Sequence, residues 1–305
     1  MDRNGDNSVL PRISWIGTGI MGNAMCGRLL SAGYSCTVFS RTRLKAENLL
    51  EAGAQWAESP SEAAEKADVV FTMVGYPADV ESVILDPEKG VLSGMRHGQS
   101  GASRTGIIVD MTTSRPSLAV EIAKRAEEIG VQALDAPVSG GDIGAKNGTL
   151  SIMVGGSRAA FEALRPIWDI LGSNIRHQGG PGMGQHTKMM NQILIAGNML
   201  GVCEALRYGK EVGLDLNVAL ESVISGAAGS WSLSNLGPRI LREDFAPGFK
   251  IRHFVKDLRI ALDEAVSTGL DIPGVCLAER LYSELIEAGF ADAGTQSLVK
   301  WDGKG

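Results

Sequence analysis

The chain carries two hydrophobic patterns in succession, and the first is typical of alternating strands and helices. Between residues 13 and 175, short apolar runs rich in valine and isoleucine alternate with longer amphipathic segments. This alternation predicts β-α-β units and a mainly parallel sheet. We predict strands at 12–17, 35–40, 69–73, 107–110, 132–135 and 151–154, and helices at 21–32, 42–52, 61–66, 116–129 and 159–171.

The second pattern begins after residue 177, where strand-like runs stop. The glycine-rich segment 179–184 leads into a long apolar-periodic stretch at 185–212, and further helical patterns follow at 216–224, 238–241, 251–267 and 273–287. Glycine and proline clusters mark boundaries between domains. The predicted fold class is therefore α/β, with an N-terminal Rossmann-type doubly wound sheet followed by an all-α C-terminal domain. We divide the chain into a disordered tail (1–10), a sheet domain (11–180) and a helical domain (181–305).

Composition narrows the class of protein. The 305 residues are 44% hydrophobic and 21% charged, and the net charge of -6 gives no reason to expect nucleic acid as a partner. Four scattered cysteines have no metal-ligand spacing, so no metal site is predicted. Asn198 and Glu204 interrupt the longest apolar stretch, which argues against a membrane span. The polar start of the chain resembles no targeting segment, and we expect a cytoplasmic protein.

A glycine-rich motif directly follows the first predicted strand. Residues 17–22 read GxGxxG and open an amphipathic helix, which is the context of a dinucleotide-binding loop. Glycines permit the tight turn and let the backbone approach a pyrophosphate at the helix N-terminus. A plain glycine turn is the alternative. The motif assigns Gly17, Thr18, Gly19, Ile20, Met21 and Gly22 to cofactor binding.

The end of the second predicted strand indicates which dinucleotide is preferred. An NAD-specific enzyme usually carries an acid here to bind the ribose 2′-hydroxyl, whereas this chain has Ser40, Arg41 and Thr42. A guanidinium and two hydroxyls suit a 2′-phosphate. We therefore predict NADP, with Arg41 as its main phosphate ligand and NAD as a possible second cofactor. The alternative is that Arg41 only solvates the next helix.

Two further segments carry groups suited to catalysis. Ser139, Gly140 and Gly141 follow a strand end, where a hydroxyl and free backbone N–H groups can bind a carboxylate, although a plain glycine turn explains them equally well. Lys188 lies in an apolar helical stretch, four residues before Gln192 on the same face. Burial lowers the pKa of a lysine and suits it to proton transfer, whereas a lysine that reaches solvent is the alternative.

The order of these motifs resembles the β-hydroxyacid dehydrogenase family over nearly the whole chain. The segments are GTGIMG, VDMTTSRPS, DAPVSGGDIGAKNGTLSIMVGG, GQHTKMMNQ and FVKDL. The family includes 3-hydroxyisobutyrate dehydrogenase and glyoxylate/succinic semialdehyde reductase. The resemblance implies hydride transfer between NADP and a small 3-hydroxyacid or its oxo partner. The apolar stretches of the helical half predict a homodimer or homotetramer. Alternatives are a reductase of glyoxylate or succinic semialdehyde, and a non-catalytic NADP-binding scaffold.

The resemblance also implies roles for single residues. It makes Lys188 the catalytic lysine and gives the loop of Ser139, Gly140 and Gly141 the substrate carboxylate. Gln192 departs from the family, which usually has asparagine there; Asn191 precedes it, and both are predicted substrate ligands. Residues 100–104 look like a small surface insertion. The cofactor residues implied in addition are Val74, Gly75, Thr113, Phe249 and Lys256.

Overall fold

A computed structural model describes residues 10–98 and 106–302 of the chain. The chain forms two compact units, Met1–Thr187 and Lys188–Gly305. Most of the predicted tail at 1–10 and the whole predicted insertion at 100–104 lie outside the described residues. The division into domains 11–180 and 181–305 stays a prediction.

Unit 1 is built around one sheet whose first six strands are all parallel. Their order is β3-β2-β1-β4-β5-β6, which is the Rossmann order, and β8 continues the sheet beyond β6. β8 pairs antiparallel with β6 and β7 and parallel with β9. The strands are β1 Ile13–Ile16, β2 Cys36–Phe39, β3 Gln55–Trp56, β4 Val69–Thr72, β5 Ile107–Asp110, β6 Gln132–Asp135, β7 Val138–Ser139, β8 Leu150–Gly156 and β9 Gly172–Gly179.

Helices cover both faces of this sheet, as the predicted doubly wound fold requires. Successive residues of β1 point to opposite faces, so Trp15 belongs to one hydrophobic cluster and Ile16 to the other. Trp15 stacks on Phe71 of β4 at 5.2 Å between ring centroids. The helices are α1 Ile20–Ser31, α2 Glu47–Glu51, α3 Pro60–Ala64, α4 Pro77–Leu85, α5 Val91–Gly98, α6 Pro116–Glu127, α7 Gly141–Asn147, α8 Arg158–Ala163 and α9 Arg165–Leu171.

Some predicted elements of unit 1 differ from the structure. The helix predicted at 159–171 is two helices that meet at Leu164, and Pro166 lies in the first turn of α9, where proline is well tolerated. The segment predicted as a helix at 42–52 starts with a 3₁₀ turn before α2. The strand β9 was not predicted, because polar residues such as Arg176 and Gln178 interrupt its apolar pattern.

Unit 2 is mainly helical over its described residues, with turns, irregular segments, short 3₁₀ and π segments and an isolated β-bridge between Lys250 and Gly294. Two predicted helices, at 216–224 and 251–267, have the predicted bounds. The helix predicted at 238–241 begins earlier, because the hydroxyl of Ser230 caps it by accepting a hydrogen bond from the Leu233 amide at 3.0 Å. The helices are α10 Met183–Glu211, which begins in unit 1, α11 Leu216–Ile224, α12 Trp231–Leu241, α13 Ile251–Ser267 and α14 Pro273–Leu285.

The long helix α10 is the one described helix that is long and apolar enough to cross a membrane by length and composition. Its most apolar window has a mean hydropathy of 1.2, and 39% of that window is buried inside the protein. Ala196, Met199 and Cys203 on this helix belong to a buried cluster with Phe254 and Tyr282. A helix in the core of a globular domain has the same composition, so α10 carries no clear sign of a membrane protein.

Candidate active site

The glycine-rich loop between β1 and α1 has a geometry that its outer glycines require. Gly17 has φ +97°, and a side chain there would overlap the carbonyl oxygen of Met73. A side chain at Gly22 would collide with the carbonyl of Gly17 and would lie 2.8 Å from the indole nitrogen of Trp15. These two glycines therefore let the helix start close against the strand ends.

The middle of the loop has room for a ligand. Among the described residues, none beyond the immediate chain neighbours has an atom within 4 Å of the place where a side chain would begin at Gly19, which directly precedes α1. The hydroxyl of Thr18 is buried and makes no hydrogen bond to a described residue. Ile20 is exposed and Met21 half-buried in the first turn of the helix. Open space, a spare hydroxyl and free helix N–H groups fit the pyrophosphate of a dinucleotide.

Ser40, Arg41 and Thr42 lie directly after β2, as predicted. The Arg41 side chain is 79% exposed and forms a 3.0 Å ion pair with Asp79 of α4. Asp79 also accepts a hydrogen bond from the amide of Tyr76 at 3.2 Å, so its carboxylate is held by its own helix start. Arg41 is thus a cation at the sheet edge, where an anionic group from solvent can reach it.

The ends of β4 and β5 are joined by buried side chains. Asp110 accepts hydrogen bonds from the Thr72 hydroxyl at 2.7 Å and from the Thr112 amide at 3.1 Å. The Thr112 hydroxyl in turn accepts the amide of Val74 at 3.0 Å, just before Gly75. Burial raises the pKa of Asp110 to about 6, against the effect of these hydrogen bonds. The half-buried Thr113 follows this network in the same loop.

A second buried carboxylate holds the start of α10. Asp135, at the end of β6, accepts the amides of Gly182 and Gln185, each at 2.8 Å. Burial raises the pKa of Asp135 to about 6, whereas its backbone hydrogen bonds lower it. The Gln185 side chain reaches back to the loop after β5. This arrangement fixes the first turn of the helix on the carboxyl edge of the sheet.

The predicted carboxylate loop follows β7 in the same unit. Ser139 is half-buried at the end of this strand, opposite Ser151 of β8. Gly140 has φ +132° and Gly141 has φ +63°, which are conformations that favour glycine. The loop therefore has a hydroxyl and a backbone with the freedom to turn N–H groups toward an anion.

In unit 2, Lys188 lies within a group of buried polar side chains. Lys188 is 6% exposed, and Gln192 and Asp257 are fully buried. The Gln192 amide donates to Asp257 at 2.6 Å, and the Asn191 amide donates to Gln192 at 2.7 Å. Asp257 also forms an ion pair with Lys256 at 2.9 Å. Phe249 lies outside this group and packs against Phe254 with 5.8 Å between ring centroids.

The surroundings of Lys188 change its acidity. Burial lowers its pKa from 10.5 to about 8; Asp257 opposes this change and Lys256 adds to it. A lysine with this pKa exchanges its proton near neutral pH, which is the property that a general acid or base needs.

Sequence reasoning missed several residues of these networks. Gln185 and Asp110 were not singled out, although a glutamine in an apolar helix and an acid at a strand end are visible in the sequence. Apart from the Thr112 amide beside Asp110, their partners lie 38 to 73 positions away. No local pattern encodes such distant pairs.

Two family models together match nearly the whole chain. Residues 12–180 match the NAD-binding domain of 6-phosphogluconate dehydrogenase, and residues 182–301 match the NAD-binding model of NADP-dependent 3-hydroxyisobutyrate dehydrogenase. The chain belongs to the 3-hydroxyisobutyrate dehydrogenase family. The family resemblance found in the sequence is thereby confirmed.

Individual proteins of similar sequence or structure support the family assignment. A probable 3-hydroxyisobutyrate dehydrogenase-like 1, mitochondrial, from Arabidopsis thaliana is 51% identical over 94% of this chain and 84% of its own length. The 2-hydroxy-3-oxopropionate reductase of Escherichia coli (strain K12) is 36% identical over 95% and 96% of the two chains. A structure of Mycobacterium tuberculosis 3-hydroxyisobutyrate dehydrogenase with L-serine aligns with a TM-score of 0.85 and 28% identity, covering 96% and 99%.

These matches define the class of reaction. The chain is an NAD(P)-dependent hydroxyacid dehydrogenase of the 3-hydroxyisobutyrate dehydrogenase family. The predicted fold class, enzyme class and dinucleotide cofactor are confirmed. The choice between NAD and NADP, the substrate and the roles of single residues go beyond this assignment.

Proposed function

We propose that the enzyme interconverts a small 3-hydroxyacid and its oxo partner with NADP as the preferred cofactor, and that Lys188 transfers the proton. The observation that carries this proposal is a lysine that is 6% exposed and has a pKa of about 8, on a helix that starts at the carboxyl edge of a dinucleotide-binding sheet. Proton transfer by such a group is worth roughly 10²–10⁴-fold in rate.

Lys188 serves both directions of the reaction. During reduction its ammonium donates a proton to the oxygen of the carbonyl substrate, and during oxidation its neutral amine accepts the hydroxyl proton. Asp257 supports the cationic form, whereas burial supports the neutral one. The bound dinucleotide supplies or accepts the hydride.

We assign the substrate carboxylate to Ser139, Gly140 and Gly141. A carboxylate held at a fixed place sets the distance to the reacting carbon, which is the entropic contribution of substrate binding. Gln192 and Asn191 stay predicted substrate ligands. Because both ends of the Gln192 amide already bind protein groups, Asn191 is the better candidate for direct contact.

The preference for NADP rests on Arg41. Its exposed guanidinium, with Ser40 and Thr42 beside it, offers a charged hydrogen-bonding fork to a 2′-phosphate. Val74, Gly75 and Thr113 are proposed to line the cofactor along the ends of β4 and β5. Phe249 and Lys256 stay predicted cofactor ligands.

A reductase of small oxoacids or semialdehydes is the second candidate function. It is favoured by the relative from Escherichia coli, which is a 2-hydroxy-3-oxopropionate reductase. The substrate set of this candidate is glyoxylate and succinic semialdehyde, and the reaction uses the same residues. Only the preferred direction and the length of the substrate differ.

Absorbance at 340 nm tests the proposal directly. NADPH and NADH are each offered with glyoxylate and succinic semialdehyde, and NADP and NAD with 3-hydroxyisobutyrate and L-serine. We expect turnover with a 3-hydroxyacid and a higher kcat/KM for the phosphorylated cofactor. Turnover confined to the carbonyl substrates would support the second candidate. Tight NADPH binding with no turnover on any substrate would contradict both.

We also propose a homodimer or homotetramer. Met190, Leu194 and Tyr208 are exposed apolar residues on α10, and a second copy of the chain would cover them. Light scattering coupled to gel filtration measures the mass. A monomer at micromolar concentration would contradict this assembly. The cytoplasmic location also stays a proposal, to be tested by fractionation of the cells that make the protein.

A further inference from the structure

One fully buried side chain in the first turn of α10 binds the loop that carries Thr113. The side-chain oxygen Oε1 of Gln185 accepts a hydrogen bond from the Ser114 backbone amide at 3.0 Å. Its side-chain nitrogen Nε2 donates to the Thr112 backbone carbonyl at 2.7 Å. These two backbone groups belong to the residues on either side of Thr113. Gln185 therefore holds both ends of the segment that contains this threonine.

Asp135 fixes Gln185 in turn. The Asp135 carboxylate accepts hydrogen bonds from the backbone amides of Gln185 and Gly182, each at 2.8 Å. These bonds hold the helix start at the end of β6. Buried hydrogen bonds to a charged acceptor are stronger than neutral ones. The backbone and the side chain of Gln185 are thus both held by groups at strand ends.

Two glycines show how tightly this helix start is packed. A side chain at Gly155 of β8 would begin 2.5 Å from the Asp135 carboxylate and 2.6 Å from the Gly184 amide. A side chain at Gly184 would begin 2.5 Å from the Asp135 carbonyl oxygen. Such distances leave no free space, so the helix start cannot shift without moving the sheet.

Hydrogen bonding alone does not require this arrangement. The loop after β5 leaves the sheet, and its backbone groups need some partner; water or a side chain from the loop itself would serve. The chain instead uses a residue that lies three positions before Lys188 on one continuous helix. A single side chain therefore couples the position of the threonine loop to the helix of the lysine.

We propose that Gln185 is a positioning residue that sets the Thr113 loop against the start of the Lys188 helix for the reaction. This inference rests on the proposed roles of Lys188 and Thr113. Misplacing reacting groups by about 1 Å can cost roughly 10²-fold in rate, so a geometric role has a measurable effect on kcat.

The test replaces Gln185 with methionine. Gln185→Met keeps the length and removes both hydrogen bonds. We expect kcat to fall about 10²-fold, measured per NADPH-binding site by fluorescence titration. Because Thr113 is the one proposed cofactor contact in the loop that Gln185 holds, we expect NADPH still to bind, with a dissociation constant that rises far less than kcat falls.

Gln185→Glu is the second variant, in case the methionine variant binds no cofactor. Glutamate can accept from the Ser114 amide but turns an oxygen toward the Thr112 carbonyl, which repels it. A protonated glutamic acid regains a donor. The kcat of this variant per NADPH-binding site, relative to wild type, should therefore rise as the pH falls from 8 to 6, because counting only sites that bind cofactor removes the effect of unfolded protein.

Gln296 provides the matched control in the helical unit. It is also buried and donates to two backbone carbonyls, Asp244 at 3.0 Å and Ala246 at 3.1 Å. Gln296→Met should lower the melting temperature but leave kcat per cofactor site unchanged. A Gln185→Met variant that behaves like this control would overturn the inference.

A Lys188→Met variant separates this inference from the proposed function. If Lys188→Met keeps its turnover, the proposed function fails whatever Gln185 does. If Lys188→Met is inactive while Gln185→Met keeps wild-type kcat per site, only the positioning role fails. Loss of kcat in both variants, with NADPH binding retained, is the result we expect.

Discussion

The two units bury charged groups in opposite ways. In unit 1, Asp110 and Asp135 receive hydrogen bonds from hydroxyls and backbone amides, and each pKa is raised only to about 6. In unit 2, Lys188 is buried near one acid, Asp257, and one further cation, Lys256. Its pKa is lowered to about 8. The acids remain mainly ionised at pH 7, whereas the lysine lies within about one unit of its titration point.

The buried acids of unit 1 hold the backbone in place, whereas the buried lysine of unit 2 has a proton that it can exchange. The hydrogen bonds of the two acids point at fixed backbone groups, so these carboxylates determine where loops and a helix start lie. The Asp257 carboxylate is shared by Gln192 and Lys256, so Lys188 is left with a charge that burial opposes. Such strongly perturbed groups are typical of functional sites. We infer that unit 1 gains order from its buried charges and unit 2 gains a labile proton.

Removal of the lysine should give the largest effect. Lys188→Met deletes the proposed proton donor and should lower kcat about 10³-fold in both directions, with NADPH binding retained. The same change should stabilise the fold by about 3 kcal/mol at pH 7, because it removes a buried charge whose pKa is lowered from 10.5 to about 8. Steady-state kinetics and urea unfolding measure the two effects.

Lys210, an exposed lysine in the last turn of α10, is the control for that variant. Lys210→Met should change neither turnover nor stability by more than about 0.5 kcal/mol. If Lys188→Met were destabilising, the lysine would be held by contacts that offset its burial. The contrast between the buried acids of unit 1 and the buried lysine of unit 2 would then be wrong.

The pH dependence of the rate should give the next largest effect. Oxidation needs the neutral amine of Lys188, so kcat/KM should rise about tenfold per pH unit below 8 and level off above it. Reduction needs the ammonium and should decline above pH 8. A roughly 10²-fold rise between pH 6 and 8 in the oxidative direction is expected. A profile governed by a group with a pKa near 6 would assign the proton to an acid instead.

Only part of the fold and of the candidate site could be predicted from the sequence. The spacing of Gly17, Gly19 and Gly22 after an apolar strand predicted the dinucleotide fold, and the structure leaves no room for a side chain at Gly17 or Gly22. The burial of Lys188 could be predicted because this residue lies in an otherwise apolar helical stretch. The strand β9 could not, because pairing with β8 decides its conformation more than its own polar residues do.

The hydrogen bonds around Asp135 and Gln192 could not be predicted, for a different reason. Asp135 and Gln185 lie 50 positions apart, and Gln192 and Asp257 lie 65 apart, so each pair exists only after folding. The sequence shows which residues are able to form such pairs. It does not show which of many polar residues the topology brings together.

The variants in which asparagine replaces Asp135 or Asp110 should differ by a few kcal/mol in their free energy of unfolding. Both changes remove a buried charge at pH 8, but Asp135→Asn also turns an amide N–H group toward a backbone amide at Gly182 or Gln185. Asp110→Asn can still accept from Thr72 and Thr112 through one oxygen, so we expect it to be about 2 kcal/mol more stable than Asp135→Asn. Urea unfolding at pH 8 gives both values.

The pH dependence of these variants checks the sign. Each acid has a folded pKa of about 6, raised above its ordinary 3.8, so its contribution to stability is present below pH 3.8 and is lost as the pH rises through 6. Asp110→Asn should therefore flatten the fall in stability between pH 4 and 7. An unchanged slope would show that Asp110 is not the titrating group.

Arg41 should give the smallest effect because its charge is exposed. Arg41→Ala removes the proposed ligand of the 2′-phosphate and should lower the ratio of kcat/KM for NADPH over NADH about tenfold, since an exposed charge-assisted hydrogen bond contributes roughly 1–1.5 kcal/mol. Kinetics with both cofactors at 50 and 300 mM salt measure it. Higher salt should shrink the difference, unlike the effects at the buried groups.

Arg43 distinguishes a specific phosphate contact from general positive charge at this sheet edge. Its guanidinium lies over the Trp56 ring at 5.0 Å, so Arg43→Ala removes the same charge from a position already used for packing. We expect this variant to leave the cofactor ratio within about twofold. Equal losses in the two variants would mean that net charge, and no single ligand, selects the cofactor. A loss confined to Arg41→Ala would make this exposed residue the determinant of cofactor specificity.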